Sequence, residues 1–305
     1  MDSVLITEVA LRDGLQIESA TVSTTDKIEF GQLLVQAGFR HLEVGAFVSV
    51  AKVPAMGDTA EVLAGLRGAD AAMHTLVFNL RGAERAVAAG ARHVRFVISA
   101  SDGHSQANAG APTDRAFARL DEAAKYLRHC GVAIEATIAT AFVCPFDGDT
   151  PLSRLVSVAE RLHSLDIEVL HLADTIGAAT PGDIRRGLGA VRAAVPDLPL
   201  GLHLHNTYGM ASANVWEALD QGVRRFDAST GGLGGCPFAP GAAGNIGADD
   251  LVHLLHREGI ETGIDPDVLV VARELLARLV GHSLDSALAA ASVTPSRLRA
   301  PALSW

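Results

Sequence analysis

The sequence lacks several features that mark specialised classes of protein. Its 305 residues include three cysteines, Cys130, Cys144 and Cys236, too few for a disulfide framework and typical of a reducing, cytoplasmic protein. No apolar stretch reaches the roughly 18 residues of a membrane-spanning helix, and no basic segment precedes the first apolar run, Val4-Leu5-Ile6. We therefore expect neither a signal peptide nor a membrane anchor.

An excess of positive charge is also missing. The formal net charge is −10, which argues against nucleic acid or an anionic membrane surface as a partner. An anionic ligand would need local positive groups or a bound cation. With 49% hydrophobic and 20% charged residues, the composition is that of a globular protein with a large core.

Short apolar runs alternate with longer amphipathic stretches, which is typical of parallel strands joined by helices. An open doubly wound sheet would carry phosphate-binding glycines after its first strand, where Arg12-Asp13-Gly14 stands instead. We predict an α/β fold, a (β/α)₈ TIM barrel over residues 1–263 with a C-terminal helical extension over 264–305 packed on it. The eight predicted strands are Val4–Leu11, His41–Phe47, His74–Phe78, His93–Ser99, Ala133–Ala139, Val169–Ala173, Leu200–His205 and Arg225–Ser229.

Ionisable residues end several of these strands, at the face where TIM barrels place their chemistry. His203 and His205 are two residues apart on one strand and therefore point to the same face. Barrel closure brings Asp13 towards them, and Asn245 reaches across from the last loop. This set suits Mg²⁺ or Mn²⁺, with Zn²⁺ as a further candidate. The alternative is a pair of hydrogen-bonded structural histidines.

Three other strand-end residues have two interpretations each. Arg12 either forms an ion pair or faces a negative centre in a ligand. Glu43 either balances the charge of Arg12 or takes part in the reaction. Asp174 either forms a hydrogen bond with a histidine or takes part in the reaction. Three further histidines begin strands, at the stability end of the barrel, and are interpreted as structural: His41, His74 and His93.

The glycine-rich segment from Gly231 to Gly244 lacks the lysine of a Walker loop. It predicts either a loose connection or a mobile lid that carries Cys236 over a bound substrate. The sequence pattern alone does not choose between them.

Together, these motifs resemble those of the 3-hydroxy-3-methylglutaryl-CoA lyases, within the metal-dependent TIM-barrel lyases and synthases. The similarity runs from about Leu5 to Gly263. Its motifs are Arg12-Asp13-Gly14-Leu15-Gln16, Phe47-Val48-Ser49, Asp174-Thr175-Ile176-Gly177, His203-x-His205 and the segment from Gly231 through Cys236 to Asn245.

The resemblance implies a retro-Claisen cleavage of a 3-hydroxyacyl-CoA to acetyl-CoA and a keto acid. It assigns the metal to Asp13, His203, His205 and Asn245. It also implies that Arg12 faces the thioester carbonyl, Cys236 is the catalytic thiol, and Glu43 and Asp174 support the site. His203 is the first candidate for the base that removes the hydroxyl proton.

Three departures from the family pattern leave the acyl group open: Ala46, His171 and Asn206. We expect them near the acyl pocket, so the substrate is 3-hydroxy-3-methylglutaryl-CoA or a relative, such as citramalyl-CoA or a bulkier 3-hydroxyglutaryl-CoA. A condensing synthase of the isopropylmalate or homocitrate type and a catalytically silent relative are the competing hypotheses. We expect a homo-oligomer, with a dimer among the allowed forms.

Overall fold

The computed structural model describes residues 3–19, 21–235 and 244–291. Its centre is a closed barrel of eight parallel strands, which confirms the predicted fold class. The barrel strands are β1 (Leu5–Glu8), β2 (His41–Ala46), β3 (Ala72–Val77), β4 (His93–Ser99), β5 (Ala133–Ala139), β8 (Val169–Asp174), β9 (Leu200–Leu204) and β10 (Arg225–Ala228). Around the barrel they follow the order β1-β10-β9-β8-β5-β4-β3-β2. A short antiparallel hairpin, β6 (Val143–Cys144) and β7 (Gly148–Asp149), follows β5.

Helices surround the barrel and bury its outer face. Continuous apolar strands are covered in this way because both faces of a parallel sheet must be kept from water. The helices are α1 (Thr24–Gln36), α2 (Thr59–Gly65), α3 (Leu80–Ala88), α4 (Asp102–Ala109), α5 (Thr113–His129), α6 (Leu152–His163), α7 (Pro181–Ala194), α8 (Ala211–Asp220), α9 (Ala248–Arg257), α10 (Pro266–Val280) and α11 (Ala287–Ala290).

The start of α7 illustrates how the sequence sets an element boundary. Thr180 accepts a hydrogen bond from the Asp183 amide, and the Asp183 carboxylate accepts one from the Thr180 amide. Pro181 occupies the first turn, where its missing N–H costs nothing. This reciprocal cap places α7 directly after the loop that leaves β8.

The region after the barrel begins with α10, which packs against α1. The Asp265 amide donates to the Ala37 carbonyl over 2.7 Å, and Arg273 pairs with Asp249 of α9 over 3.1 Å. The predicted boundary at residues 263 and 264 falls just before this helix and stays a prediction, and residues 292–305 lie outside the described residues.

Strand β1 ends earlier than predicted. The expected strand ran to Leu11, but Ala10–Gly14 form a single π-helical turn after Glu8. The Val9 carbonyl accepts from the amides of both Asp13 (2.8 Å) and Gly14 (3.3 Å). Apolar Val9, Ala10 and Leu11 are buried in this turn as they would be in a strand, which is why hydrophobicity alone could not separate the two conformations.

Candidate active site

The turn that carries Arg12 and Asp13 is anchored by a buried carboxylate. Glu8 accepts from the Ala10 amide (2.9 Å) and from the Thr230 amide (2.7 Å). Burial raises the pKa of Glu8 to about 7, because the ionised carboxylate is poorly solvated there. Glu8 thus ties the turn to the start of the glycine-rich segment after β10. π-Helical turns are often found at functional sites.

Four predicted ligands meet at the C-terminal mouth of the barrel. The Nε2 atoms of His203 and His205 lie 3.2 Å apart, and each is 3.8 Å from Asp13 Oδ2. Asn245 Nδ2 donates to the same Asp13 oxygen over 2.8 Å. Asn245 also forms a β-bridge with His205. The structure therefore brings together one carboxylate, two imidazoles and one carboxamide from three distant parts of the chain.

The protonation states of this cluster favour a cation. Burial raises the pKa of Asp13, but Arg12 and the two histidines outweigh it and hold the pKa at about 2. Burial, with a smaller contribution from His203, lowers the pKa of His205 to about 4. An ionised carboxylate and a neutral imidazole are the forms that bind a metal.

Two buried atoms of the cluster have no hydrogen-bond partner among the described residues. They are Asn245 Oδ1 and His205 Nδ1. An unpaired buried acceptor is costly, and an amide oxygen is a ligand that Mg²⁺ and Mn²⁺ accept. The orphaned Asn245 oxygen therefore fits a site for a divalent cation.

The net charge of the barrel interior also favours a bound cation. Two guanidinium groups and four carboxylates lie in one network of ion pairs around His203, giving a net charge of minus two when the imidazoles are counted as neutral. A divalent cation would neutralise it, which matters because unbalanced buried charge is expensive. The members are Arg12, Arg95, Asp13, Glu43, Glu135 and Asp227.

Arg12 lies beside the cluster and is held on two sides. Its Nε and Nη2 atoms donate to Glu43 Oε2 over 2.7 and 2.6 Å, and Nη1 pairs with Asp13. Glu43 is fully buried, so it orients Arg12 and balances its charge. Arg12 lines the adjoining cavity, where its remaining N–H groups are available to a ligand.

The carboxylate of Asp174, at the end of β8, is bound by backbone amides and not by a histidine side chain among the described residues. Its two carboxylate oxygens accept from the amides of Ala178 and Ala179, each over 3.0 Å. Burial raises its pKa to about 6. Asp174 therefore holds the loop between β8 and α7, and Thr175 of that loop lines the cavity.

A cavity of about 360 Å³ opens beside the four-residue cluster. Asp13, His203 and His205 form one part of its wall, and Phe47, Leu76 and Val97 form an apolar part. Two cationic side chains, Lys52 and Arg119, also line it. The cavity therefore combines a polar reaction centre, an apolar wall and positive charge for an anionic ligand.

Three residues that we expected near the acyl pocket do not line this cavity themselves, although two of them adjoin the lining residues Phe47 and His205. Ala46, His171 and Asn206 are all described, and none of them lines this cavity. His171 is buried lower in the barrel, between Glu135 and Asp227, and Asn206 Oδ1 accepts from the Ala211 amide over 3.2 Å. Cys236 lies outside the described residues.

The sequence did not reveal two buried residues next to the four-residue cluster, one in contact with His203 and the other in contact with the first. Asp227 accepts from His203 Nδ1 over 3.1 Å, and Arg95 donates to the same Asp227 oxygen over 2.6 Å. The available signal was an ionisable residue in the middle of a predicted barrel strand, where charge is costly to bury without a partner. Arg95 in β4 and Asp227 in β10 occupy such positions.

No helix in residues 3–19, 21–235 and 244–291 is long and apolar enough to cross a membrane.

Cys130 and Cys144 are both free thiols. Cys144 is buried, and its Sγ lies 2.8 Å from Ser101 Oγ.

Comparison with known proteins gives consistent matches along the chain. The HMGL-like family matches residues 3–276. The cytoplasmic 3-hydroxy-3-methylglutaryl-CoA lyase of Rattus norvegicus is 36% identical over 290 residues, which cover 95% of this chain and 84% of the rat protein. The (R)-citramalyl-CoA lyase of Chloroflexus aurantiacus is 39% identical over 295 residues, with 93% of each protein covered.

A solved structure adds a ligand-bound relative. The HMG-CoA lyase of Acinetobacter baumannii, in complex with coenzyme A and 3-methylmalate, superposes with a TM-score of 0.90 at 41% identity. The match covers 95% of this chain and 95% of that one.

Proposed function

This chain belongs to the HMGL-like family of carbon–carbon lyases, and we propose that it cleaves a 3-hydroxyacyl-CoA thioester by a metal-dependent retro-Claisen reaction. The products would be acetyl-CoA and a keto acid. The observation that carries the proposal is the cluster of Asp13, His203, His205 and Asn245 beside Arg12 and the cavity.

The cation would be held by Asp13, His203, His205 and the orphaned oxygen of Asn245. When bound, it would lower the pKa of the substrate hydroxyl and fix the orientation of the substrate. We propose Mg²⁺ or Mn²⁺, with Zn²⁺ as the competing ion, because the donor set combines two imidazoles with two oxygens.

Arg12 is proposed to stabilise the negative charge that develops on the thioester oxygen when the enolate leaves. Its guanidinium is already fixed by Glu43, so little reorganisation is needed when the charge appears. Glu43 is thus proposed as a supporting residue, as is Asp174 through the loop that it holds.

His203 has two proposed roles that compete for one nitrogen. Its Nδ1 faces Asp227, and its Nε2 faces His205 and Asp13. A metal ligand uses Nε2 in its deprotonated form, and a base that removes the hydroxyl proton would use the same atom. His203→Gln separates the two roles. If His203 is a ligand, the variant loses metal affinity. If His203 is the base, the variant keeps its metal affinity and its pH–rate profile changes.

Cys236 is proposed to protonate the carbon of the departing enolate once the glycine-rich segment has closed over the substrate. We expect Cys236→Ala to lower turnover by orders of magnitude and to leave metal affinity unchanged. Cys130→Ala is the matched control, because Cys130 is a free thiol at the end of α5. Near-normal turnover of Cys236→Ala would remove this thiol from the mechanism.

The acyl substrate is proposed to be 3-hydroxy-3-methylglutaryl-CoA or citramalyl-CoA. The second candidate is favoured by the identity to the Chloroflexus lyase, which covers both proteins almost completely. Lys52 and Arg119 on the cavity wall support a thioester with an anionic carrier. We also propose a cytoplasmic homo-oligomer, with a dimer among the allowed forms.

The deciding experiment offers purified protein, with Mg²⁺, Mn²⁺ or Zn²⁺, a panel of 3-hydroxyacyl-CoA thioesters. Release of acetyl-CoA is followed, and the second product is identified as acetoacetate or pyruvate. Release from one thioester identifies the substrate. Failure to cleave any of them, with condensation of acetyl-CoA and a 2-oxo acid, would overturn the lyase proposal in favour of a synthase.

A further inference from the structure

A buried arginine lies at the centre of the barrel, below the candidate metal centre. Arg95 of β4 is 1% exposed. Its Nη1 donates to Asp227 Oδ2 over 2.6 Å, and its Nη2 donates to Glu135 Oε2 over 2.9 Å. β4 and β10 are not neighbours in the barrel, so the Arg95–Asp227 pair spans its interior.

Asp227 connects this arginine to a proposed metal ligand. The oxygen that accepts from Arg95, Oδ2, is also 3.1 Å from His203 Nδ1. An imidazole that donates from Nδ1 to a carboxylate keeps Nε2 free of a proton, which is the form that binds a cation. The position of one carboxylate oxygen therefore sets both the tautomer and the ring orientation of His203.

His171 fills the space next to this contact. Its Nε2 is 3.8 Å from Glu135 Oε2 and its Nδ1 is 3.5 Å from Asp227 Oδ1. Gly201 on the neighbouring strand leaves the required room, because a Cβ there would lie 2.7 Å from the imidazole. The imidazole that distinguishes position 171 from the family pattern thus packs against the Arg95 network, away from the cavity.

We propose that Arg95 is a positioning residue for the metal centre, acting through Asp227 on His203. This inference rests on the proposed metal-dependent function. Without the guanidinium, Asp227 loses its strongest partner and is free to rotate away from His203. Partners of metal-bound histidines typically contribute about 10- to 100-fold to metal affinity. Arg95 acts one contact further out, through Asp227, so an effect at the lower end of this range, about 10-fold, is expected.

The test is a titration of the metal-free protein with Mn²⁺ by calorimetry, in the absence of substrate. Arg95→Met keeps most of the side-chain length and removes the charge. We expect it to bind Mn²⁺ about 10-fold more weakly, with Arg95→Lys between it and the reference protein because an ammonium restores the charge. The reference protein and all variants carry His41→Ala, so that loss of the guanidinium beside Glu135 cannot create a second metal site at the other end of the barrel. Arg128→Met is the matched control, since Arg128 pairs with Asp166 at the surface, where the side chains are 36% and 77% exposed.

Two further readouts separate positioning from a purely structural role. Turnover of Arg95→Met should recover towards that of the reference protein at saturating Mn²⁺. The reason is that the missing contact lowers the fraction of metal-bound enzyme more than it slows the cleavage step. Thermal unfolding of the variant, followed by circular dichroism without metal, shows whether it is folded. If Arg95→Met does not fold, Arg95→Lys decides the question by the same titration.

The outcomes are distinct. A folded Arg95 variant that binds Mn²⁺ within about twofold of the reference protein would overturn the positioning role and leave the lyase proposal intact. A wild-type protein that binds none of Mg²⁺, Mn²⁺ and Zn²⁺ would overturn the metal-dependent function itself. Weaker binding in the Arg95 variants, with normal binding in Arg128→Met, supports the inference.

Discussion

Two pairs of histidines lie at opposite ends of the barrel and have almost the same spacing. In the C-terminal pair, His203 and His205, the ring centroids are 5.2 Å apart and the Nε2 atoms 3.2 Å apart. In the N-terminal pair, His41 and His74, the centroids are also 5.2 Å apart, and Nδ1 of one lies 3.0 Å from Nε2 of the other. The spacing of two imidazoles therefore does not distinguish a metal site from a structural contact.

The surroundings of the two pairs are different. The C-terminal pair faces Asp13, whose Oδ2 also accepts from Asn245, and it opens to the cavity. The N-terminal pair has a carboxylate within reach, Glu135, but its Oε2 already accepts from Arg95 over 2.9 Å. Two like unit charges about 4 Å apart repel by about 4 kcal/mol at an effective dielectric constant near 20. The guanidinium therefore opposes a cation at the N-terminal end.

The largest expected difference between the two pairs is in metal binding. His205→Ala should weaken Mn²⁺ binding by more than about 100-fold, because loss of a ligand exceeds the effect of losing a ligand's partner. Turnover should fall by orders of magnitude with it. His41→Ala, the matched variant in the other pair, should change Mn²⁺ affinity by less than about threefold. Calorimetry and steady-state turnover measure both effects.

Stoichiometry provides the control for this prediction. Wild type and His41→Ala should each bind one equivalent of metal per chain. If the wild type bound two equivalents and His41→Ala bound one, both histidine pairs would be metal sites. The conclusion that the two pairs differ in metal binding would then be wrong.

A smaller effect is expected from pH. Burial lowers the pKa of four histidines to about 3 or 4, whereas their unfolded values lie near 6.5. Below that pH the unfolded chain binds protons at these histidines that the folded chain does not bind. Their contribution to the free energy of unfolding is therefore complete above about pH 6.5 and is lost as the pH falls towards 4. The four are His74, His104, His171 and His205.

Three carboxyl groups act in the opposite direction. Burial raises the pKa of Glu8 to about 7 and that of Asp174 to about 6, and it also raises the pKa of Asp249, so their contributions rise as the pH falls through the same window. Burial lowers the pKa of His41 as well, so five histidines act against three carboxyl groups and leave a net loss, measured as a lower unfolding midpoint at pH 4.5 than at pH 7. Saturating Mn²⁺ should steepen this dependence in wild type and not in His205→Ala, since the cation binds neutral imidazole. A midpoint that is constant between pH 7 and 4.5 would contradict the prediction.

The smallest effect is expected for Asp174, which belongs to the same end of the barrel as the C-terminal pair but holds backbone amides. Asp174→Asn leaves one acceptor oxygen for two N–H groups and should lower the free energy of unfolding by about 1–3 kcal/mol. Mn²⁺ affinity should stay within about twofold. Asp114→Asn, whose side chain is 77% exposed in a surface ion pair, is the control for loss of a carboxylate.

If Asp174→Asn instead reduced Mn²⁺ affinity as strongly as His205→Ala, Asp174 would belong to the metal centre. Urea unfolding and calorimetry on the same preparation distinguish the two outcomes.

The sequence by itself determined the barrel and the positions of its strands along the chain, except for the end of β1. Apolar runs mark the strands because a sheet covered by helices must be apolar on both faces, and a two-residue repeat places His203 and His205 on one side of β9. These are local properties of the chain, so the pattern was sufficient. The end of β1 was wrong because Val9, Ala10 and Leu11 are buried equally well in a π-helical turn.

Only the tertiary structure decided which charged groups pair inside the barrel. Arg95 and Asp227 are 132 residues apart in sequence and meet over 2.6 Å, and the Arg95–Glu135 contact is what distinguishes His41 and His74 from the C-terminal pair. The reason is physical: the electrostatic environment of a buried group depends on distances through the barrel interior. Those distances follow from closure of the sheet and are not encoded in any local pattern.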